Sequence, residues 1–166
     1  EAWLEGLNCL PAFSSAAMEL CLLEHQPRAD AVLMCAAVAD LRRKRLEDSS
    51  KLPKGELMKT IAEGWEQVPD LLQLLRSRRP ARQRLLGFAA LAGDDKTLLQ
   101  RGYEKYQAKG CDLLMVNPID RPNQGLDCDL NGGWLIGPGE RQEEMPAMHK
   151  FALAHDLLDR LSQLGD

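Results

Sequence analysis

Three short apolar runs constrain this chain more than any other feature: Ala31–Ala37 (AVLMCAA), Arg84–Ala90 (RLLGFAA) and Asp112–Val116 (DLLMV). Each is bounded by turn residues. Runs this short and this uniformly apolar read as parallel strands buried on both faces. Helical patterns fill the gaps. Ser14 or Ser15 can cap a helix to about His25, which Pro27 ends. Val68-Pro69-Asp70 opens a helix to about Arg78, with Pro69 near the first turn. Thr97–Lys109 has Leu98, Leu99, Gly102 and Tyr106 on one face, with Gly110 placed to close it. Strand and helix in alternation imply a parallel sheet with right-handed crossovers. The expected fold is therefore α/β, a Rossmann-like three-layer domain. Gly133–Gly137 and Arg141–Met145 turn back around Pro138-Gly139 as a small antiparallel appendage, and a helix from about Lys150 to Leu164 follows. The 166 residues suit one domain with a sizeable core. The strand at Ala31 reads as the second of a βαβ unit whose first strand lies outside the chain.

Composition narrows the function classes. A net charge of −4 argues against general nucleic-acid binding, which favours a basic balance. Cys9, Cys21, Cys35, Cys111 and Cys128 contain no CxxC pair and read as reduced thiols of a cytoplasmic protein. His25, His149 and His155 share no ligand spacing with them, so no metal site is expected. No export signal or long apolar run is present.

The first strand leads into the polar part of the chain. In open α/β sheets, ligands bind outside the carboxyl ends of the strands. Asp40 follows the Ala31 run, and Lys51 and Lys54 lie on a polar segment beyond it, a layout for an anionic ligand. Arg42, Arg43, Lys44 and Arg45 read as a solvated loop. Leu57, Ile61 and Trp65 suit a helix by spacing, although Thr60 and Gly64 weaken it. Phe88 is either a stacking surface or a core residue. Lys105 and Lys109 share one helix face.

These pieces resemble one family. AAVAD (Ala36–Asp40), KLPK (Lys51–Lys54), VPDLL (Val68–Leu72), GFAA (Gly87–Ala90), the Lys105–Leu113 segment and Asn117 are similar, in order and spacing, to phosphopantothenoylcysteine synthetase. That family is the C-terminal half of the bacterial bifunctional DNA/pantothenate-metabolism flavoprotein. The resemblance implies a ligase of coenzyme A biosynthesis using CTP and Mg²⁺. The carboxylate of 4′-phosphopantothenate attacks the α-phosphate, pyrophosphate leaves, and the cysteine amine then displaces CMP from the acyl-cytidylate. By position, Met34, Cys35 and Ala36 would line the nucleotide with their backbone, and Asp40 would contact it. Lys51 would be the catalytic lysine of a closing flap, stabilising charge once water is excluded. Pro69, Asp70, Leu71 and Leu72 would present a helix start to the nucleotide. Phe88 would pack on it, and Lys105 and Lys109 would reach the triphosphate. The resemblance also implies a homodimer formed through Leu57–Trp65 as an extended strand, which moves the reading of that segment from helix to strand.

The departures carry information too. Pro53 stands where the family's KxKK flap has a lysine, which removes a charge and stiffens the loop. Leu91 stands where an acid is usual. Nothing from Glu1 to Phe13 matches the family's Gly-rich turn or its N-x-S-S-G segment. FMN belongs to a decarboxylase half that this chain does not include. The chain is thus expected to hold most of the CTP site and to turn over poorly by itself. The alternative is a non-catalytic nucleotide-binding or regulatory module that retains the fold. A generic oxidoreductase is disfavoured because no GxGxxG is present.

Overall fold

The computed structural model describes residues 5–44, 55, 57–125 and 127–165. In chain order the elements are α1 (Ser15–His25), β1 (Ala31–Met34), β2 (Leu41–Arg43), α2 (Leu57–Glu63), β3 (Trp65–Gln67), α3 (Leu71–Arg78), β4 (Arg84–Leu91), α4 (Asp95–Lys109), β5 (Leu113–Pro118), β6 (Leu130–Gly137), β7 (Arg141–His149) and α5 (Lys150–Ser162). They fall into two compact units. Glu1–His25 and Ala36–Leu71 form the first, and Gln26–Cys35 with Leu72–Asp166 form the second.

The second unit is a five-stranded sheet in the order β1-β4-β5-β6-β7. β1 runs parallel to β4 and β4 parallel to β5. β6 and β7 extend the sheet antiparallel. The α/β reading and the antiparallel appendage both hold. β4 and β5 are central, so both of their faces are covered and their sequence is a near-continuous apolar run. α5 buries Leu153, Leu157 and Leu161 against Leu86, Leu113, Met115 and Leu135. That i, i+4, i+8 stripe is the core-facing edge of an amphipathic helix. On the other helical layer, Gly102 of α4 lets the helix settle on the sheet, since a Cβ there would lie 2.6 Å from Val116 Cγ2.

Buried polar groups pin the strand starts. Gln83 Nε2 donates to the carbonyls of Gln26 and Ala29, both at 2.7 Å, and Gln26 Nε2 donates to the Leu75 carbonyl at 2.6 Å. The Asp112 carboxylate accepts from Arg79 at 2.5 Å and from the Leu85 N–H at 2.7 Å. These pairs satisfy groups that would be costly to bury unpaired.

The α4 termini follow the sequence closely. Asp94 accepts from the Thr97 N–H at 2.8 Å, and Gly110 closes the helix at φ 61° with its N–H on the Tyr106 carbonyl. The hydrogen bonds from Thr97 hold the Asp94 carboxyl below the usual aspartate range. A depressed folded pKa gives stability that is present above the unfolded value and is lost as pH falls through the folded one. Asp94→Asn keeps a capping side chain and removes the titration. The variant is expected to lose less Tm than the parent between pH 5 and 3, read by thermal unfolding across that range. An identical loss in both would exclude Asp94 from the acid limb.

The first unit carries α1, β2, α2 and β3. Ser14 Oγ accepts from the Ala17 N–H at 3.1 Å, so it caps α1. β2 and β3 pair antiparallel with Arg42 opposite Glu66. Their side chains form an ion pair at 2.6 Å, a favourable cross-strand match. The basic run is therefore part strand and not wholly a solvated loop. Leu57–Glu63 is a helix, which corrects the strand reading. The i, i+4 pair Leu57 and Ile61 falls within the helix, while Trp65, the i+8 position, opens β3. β1 is also shorter than its apolar run and ends at Met34. With one strand neighbour among the described residues it is only partly buried, and Leu33 stays 38% exposed.

Candidate functional site

In the sheet unit, the carboxyl end of β1 brings together part of the expected nucleotide set. Met34 is in register with Gly87 on β4, so Phe88 follows on the adjacent strand. A Cβ at Gly87 would lie 2.7 Å from Leu72 Cδ2. The absent side chain thus lets α3 sit close over β4, with Leu72 against it. Phe88 is partly buried and packs against the Leu86–Leu113–Met115 core cluster. Desolvation holds the Cys35 thiol above its ordinary pKa, so it stays protonated at neutral pH.

Lys105 and Lys109 come from the last turns of α4. α4 leaves the carboxyl end of β4 and runs back to the amino end of β5. Lys105 lies ten residues after Asp95, which is roughly 15 Å along the axis. Gly87, in register with Met34, likewise lies four residues, about 13 Å, back from the end of β4. The helix end at Gly110 faces the amino ends of the strands, where the Asp112 N–H donates to the Leu85 carbonyl at 2.8 Å. Gln73 Nε2 of α3 donates to the Ala108 carbonyl at 3.3 Å, so the last turns of α4, with Lys105 and Lys109, run beside the start of α3.

In the hairpin unit, Asp40 immediately precedes β2, six residues beyond the end of β1. Its carbonyl accepts from the Val68 N–H at 2.8 Å. That bond places Asp40 beside the approach to Pro69, Asp70 and Leu71, so these positions share one corner of their unit. The Asp40 side chain is exposed. Ala36 belongs to the same unit. Lys51, with Pro53 and Lys54, lies outside the described residues. The sequence reading missed the Arg42–Glu66 pair. Leu41-Arg42-Arg43 carries no polarity alternation that would have signalled it.

Among the described residues, no group of three His, Cys, Asp or Glu side chains is placed to hold a metal ion. No helix among them is long and apolar enough to cross a membrane.

A family model, the DNA/pantothenate metabolism flavoprotein C-terminal domain, matches residues 2–164. The chain belongs to this family. Its relatives include the coenzyme A biosynthesis bifunctional protein CoaBC of Mycobacterium tuberculosis, 28% identical over 161 residues, which cover 94% of this chain and 38% of the relative. CoaBC of Bacillus subtilis is 27% identical over 156 residues, covering 94% and 37%. The chain thus spans less than two fifths of the length of these curated relatives. Among solved structures, the C-terminal domain of CoaBC superposes with a TM-score of 0.66 at 22% identity, covering 92% of this chain and 65% of that one. A Cab2 variant in complex with phosphopantothenate-cysteine superposes with a TM-score of 0.62 at 15% identity, covering 93% and 52%. At these identities the superpositions speak for the fold of this flavoprotein-domain member.

Proposed function

We propose that this flavoprotein C-terminal domain forms the nucleotide-binding part of a phosphopantothenate–cysteine ligase of coenzyme A biosynthesis. The observation that carries the proposal is the family match across residues 2–164, supported by relatives named for coenzyme A biosynthesis. In this reading the substrate carboxylate is activated by CTP. A carboxylate is a poor electrophile and hydroxide a poor leaving group, whereas CMP departs readily from an acyl-cytidylate. The backbone at Met34, Cys35 and Ala36 and the Asp40 carboxylate contact the nucleotide. The helix start at Pro69–Leu72 meets the nucleotide. Phe88 acts through the shape of the strand on which it packs. Lys51 neutralises charge as its segment closes. Lys105 and Lys109, on the last turns of α4 beside the start of α3, reach the triphosphate.

Mg²⁺ is commonly held by substrate phosphates with one or two carboxylates, and not by a protein cage. The exposed Asp40 carboxylate fits that demand. When bound, the ion would offset triphosphate charge. A dimer and a cytoplasmic location complete the proposal.

Calorimetry tests it. Titration of CTP into this chain is expected to give weak saturable heat, larger than that of ATP, GTP or UTP. No heat from CTP beside clear heat from another nucleotide would sink the CTP assignment. A second reading, a non-catalytic module, draws on Leu91. This residue is buried at the end of β4 opposite Pro118, so an apolar contact occupies the place where the family usually has an acid.

A further inference from the structure

We propose that the amino-terminal pole of the sheet unit holds a second site, for a phosphate-class oxyanion, centred on Arg76 and Arg79. A cleft of 420 Å³ opens there between the ends of α3 and α4 and the starts of β4 and β5. Three guanidiniums line it, from Arg76, Arg79 and Arg84, and they face one carboxylate, Asp112. The whole chain carries a net charge of −4, so this concentration of positive charge is local and runs against the average.

The arginines are fixed in different ways. Arg79 Nη1 is bonded to Asp112, which leaves other N–H donors of its fork unused by that bond. Arg84 Nη2 donates to the carbonyls of Leu164 at 3.0 Å and Gly165 at 2.7 Å. Arg76 is held by shape. Its guanidinium lies against the backbone of Gly110, where a Cβ would fall 2.2 Å from Cζ. Only a residue without a Cβ permits that contact. No acceptor for Arg76 is present among the described residues, so its donors face the cleft unpaired.

The ordinary explanation for arginines here is the helix dipole, since cations are favourable in a last helical turn. It covers Arg76 and Arg79 in part. It does not cover Arg84, which begins a strand, and it requires no cleft. The end of α4 is also partly satisfied already, because the Gly110 N–H bonds the Tyr106 carbonyl. Two guanidinium forks converging on one space suit a group with three or four charged oxygens better than a single carboxylate. None of the residues assigned to the nucleotide lines this cleft.

The test is a titration of the ¹⁵N-labelled chain with inorganic phosphate at constant ionic strength, following the amides of Gly110, Cys111 and Gly165. A saturable shift confined to this pole is expected. Arg76→Gln is expected to weaken it by about tenfold or more, the value of a charge-assisted hydrogen bond. Gly110→Asn should do the same. Asparagine tolerates the left-handed backbone, but its Cβ expels the guanidinium. Phenyl phosphate should compete with phosphate, and acetate should not. Shifts that grow linearly without saturation, or an affinity unchanged in Arg76→Gln, would overturn the site. Equal binding of acetate would overturn the phosphate assignment.

Discussion

Replacing Lys51 with glutamine in the intact protein is expected to lower the rate of phosphopantothenoylcysteine formation by roughly 10²- to 10³-fold, the usual effect of removing one group that stabilises developing charge. The loss should fall on kcat more than on the KM for CTP. A lysine on a closing segment meets the reacting phosphate only after the nucleotide is seated, so ground-state binding depends on it little. Glutamine is close to lysine in length and can donate hydrogen bonds, so the variant isolates the charge. Pro53 bears on the size of the effect. With proline in place of a flap lysine, Lys51 and Lys54 are the only cations in KLPK, and Lys54 alone would have to replace Lys51. A steady-state assay of CMP release and amide formation reads the result. An unchanged rate in Lys51→Gln would remove Lys51 from the reaction and favour the non-catalytic module.

The sequence was most legible where burial decides the residue type. β4 and β5 are covered on both faces and came out as unbroken apolar runs. α4 was legible because its ends carry local chemistry, an Asp cap and a left-handed Gly. β2 was not legible. It is three residues long and stabilised by an ion pair to a residue 24 positions away, which periodicity does not register. α2 shows the reverse case. Its apolar spacing indicated a helix, and a strand inferred from resemblance displaced that reading. The spacing was the better guide.

Lys105 and Lys109 teach a different lesson. Their separation fixes which helix face they share and says nothing about which end of the sheet they occupy. The connectivity does say so. A crossover helix after a strand runs back toward the amino ends, and the last turn of α4 comes to lie beside the start of α3, where Gln73 Nε2 meets the Ala108 carbonyl. Arg76, Arg79 and Arg84 looked like a diffuse basic stretch for a related reason. Only the fold brings them around Gly110 and Asp112.

The largest stability loss from a single small substitution is expected at Gly133. This residue sits at φ 137°, a conformation that side chains rarely adopt, in the register shift between Asn131 and Gly133. A Cβ there would lie 2.0 Å from the Val116 carbonyl oxygen and 2.8 Å from Pro118 Cδ. Both contacts are on β5, and neither can swing aside as the tip of a flexible side chain could. Gly133→Ala therefore faces two costs. A sparsely populated backbone conformation carries about 1–3 kcal/mol. Relieving the clash moves β6 away from β5 near the Val116–Trp134 pair and exposes backbone groups that the ladder satisfies. Together these should destabilise the sheet unit by about 3 kcal/mol or more, a large share of the 5–15 kcal/mol typical of a domain. Gly165→Ala is the control. Nothing lies within 4 Å of a Cβ there, and its effect should stay within about 0.5 kcal/mol. Urea unfolding monitored by tryptophan fluorescence reads both, with Trp134 next to the affected position. If Gly133→Ala costs no more than Gly165→Ala, the close approach of β6 to β5 is not what the bulge requires, and Gly133 is replaceable.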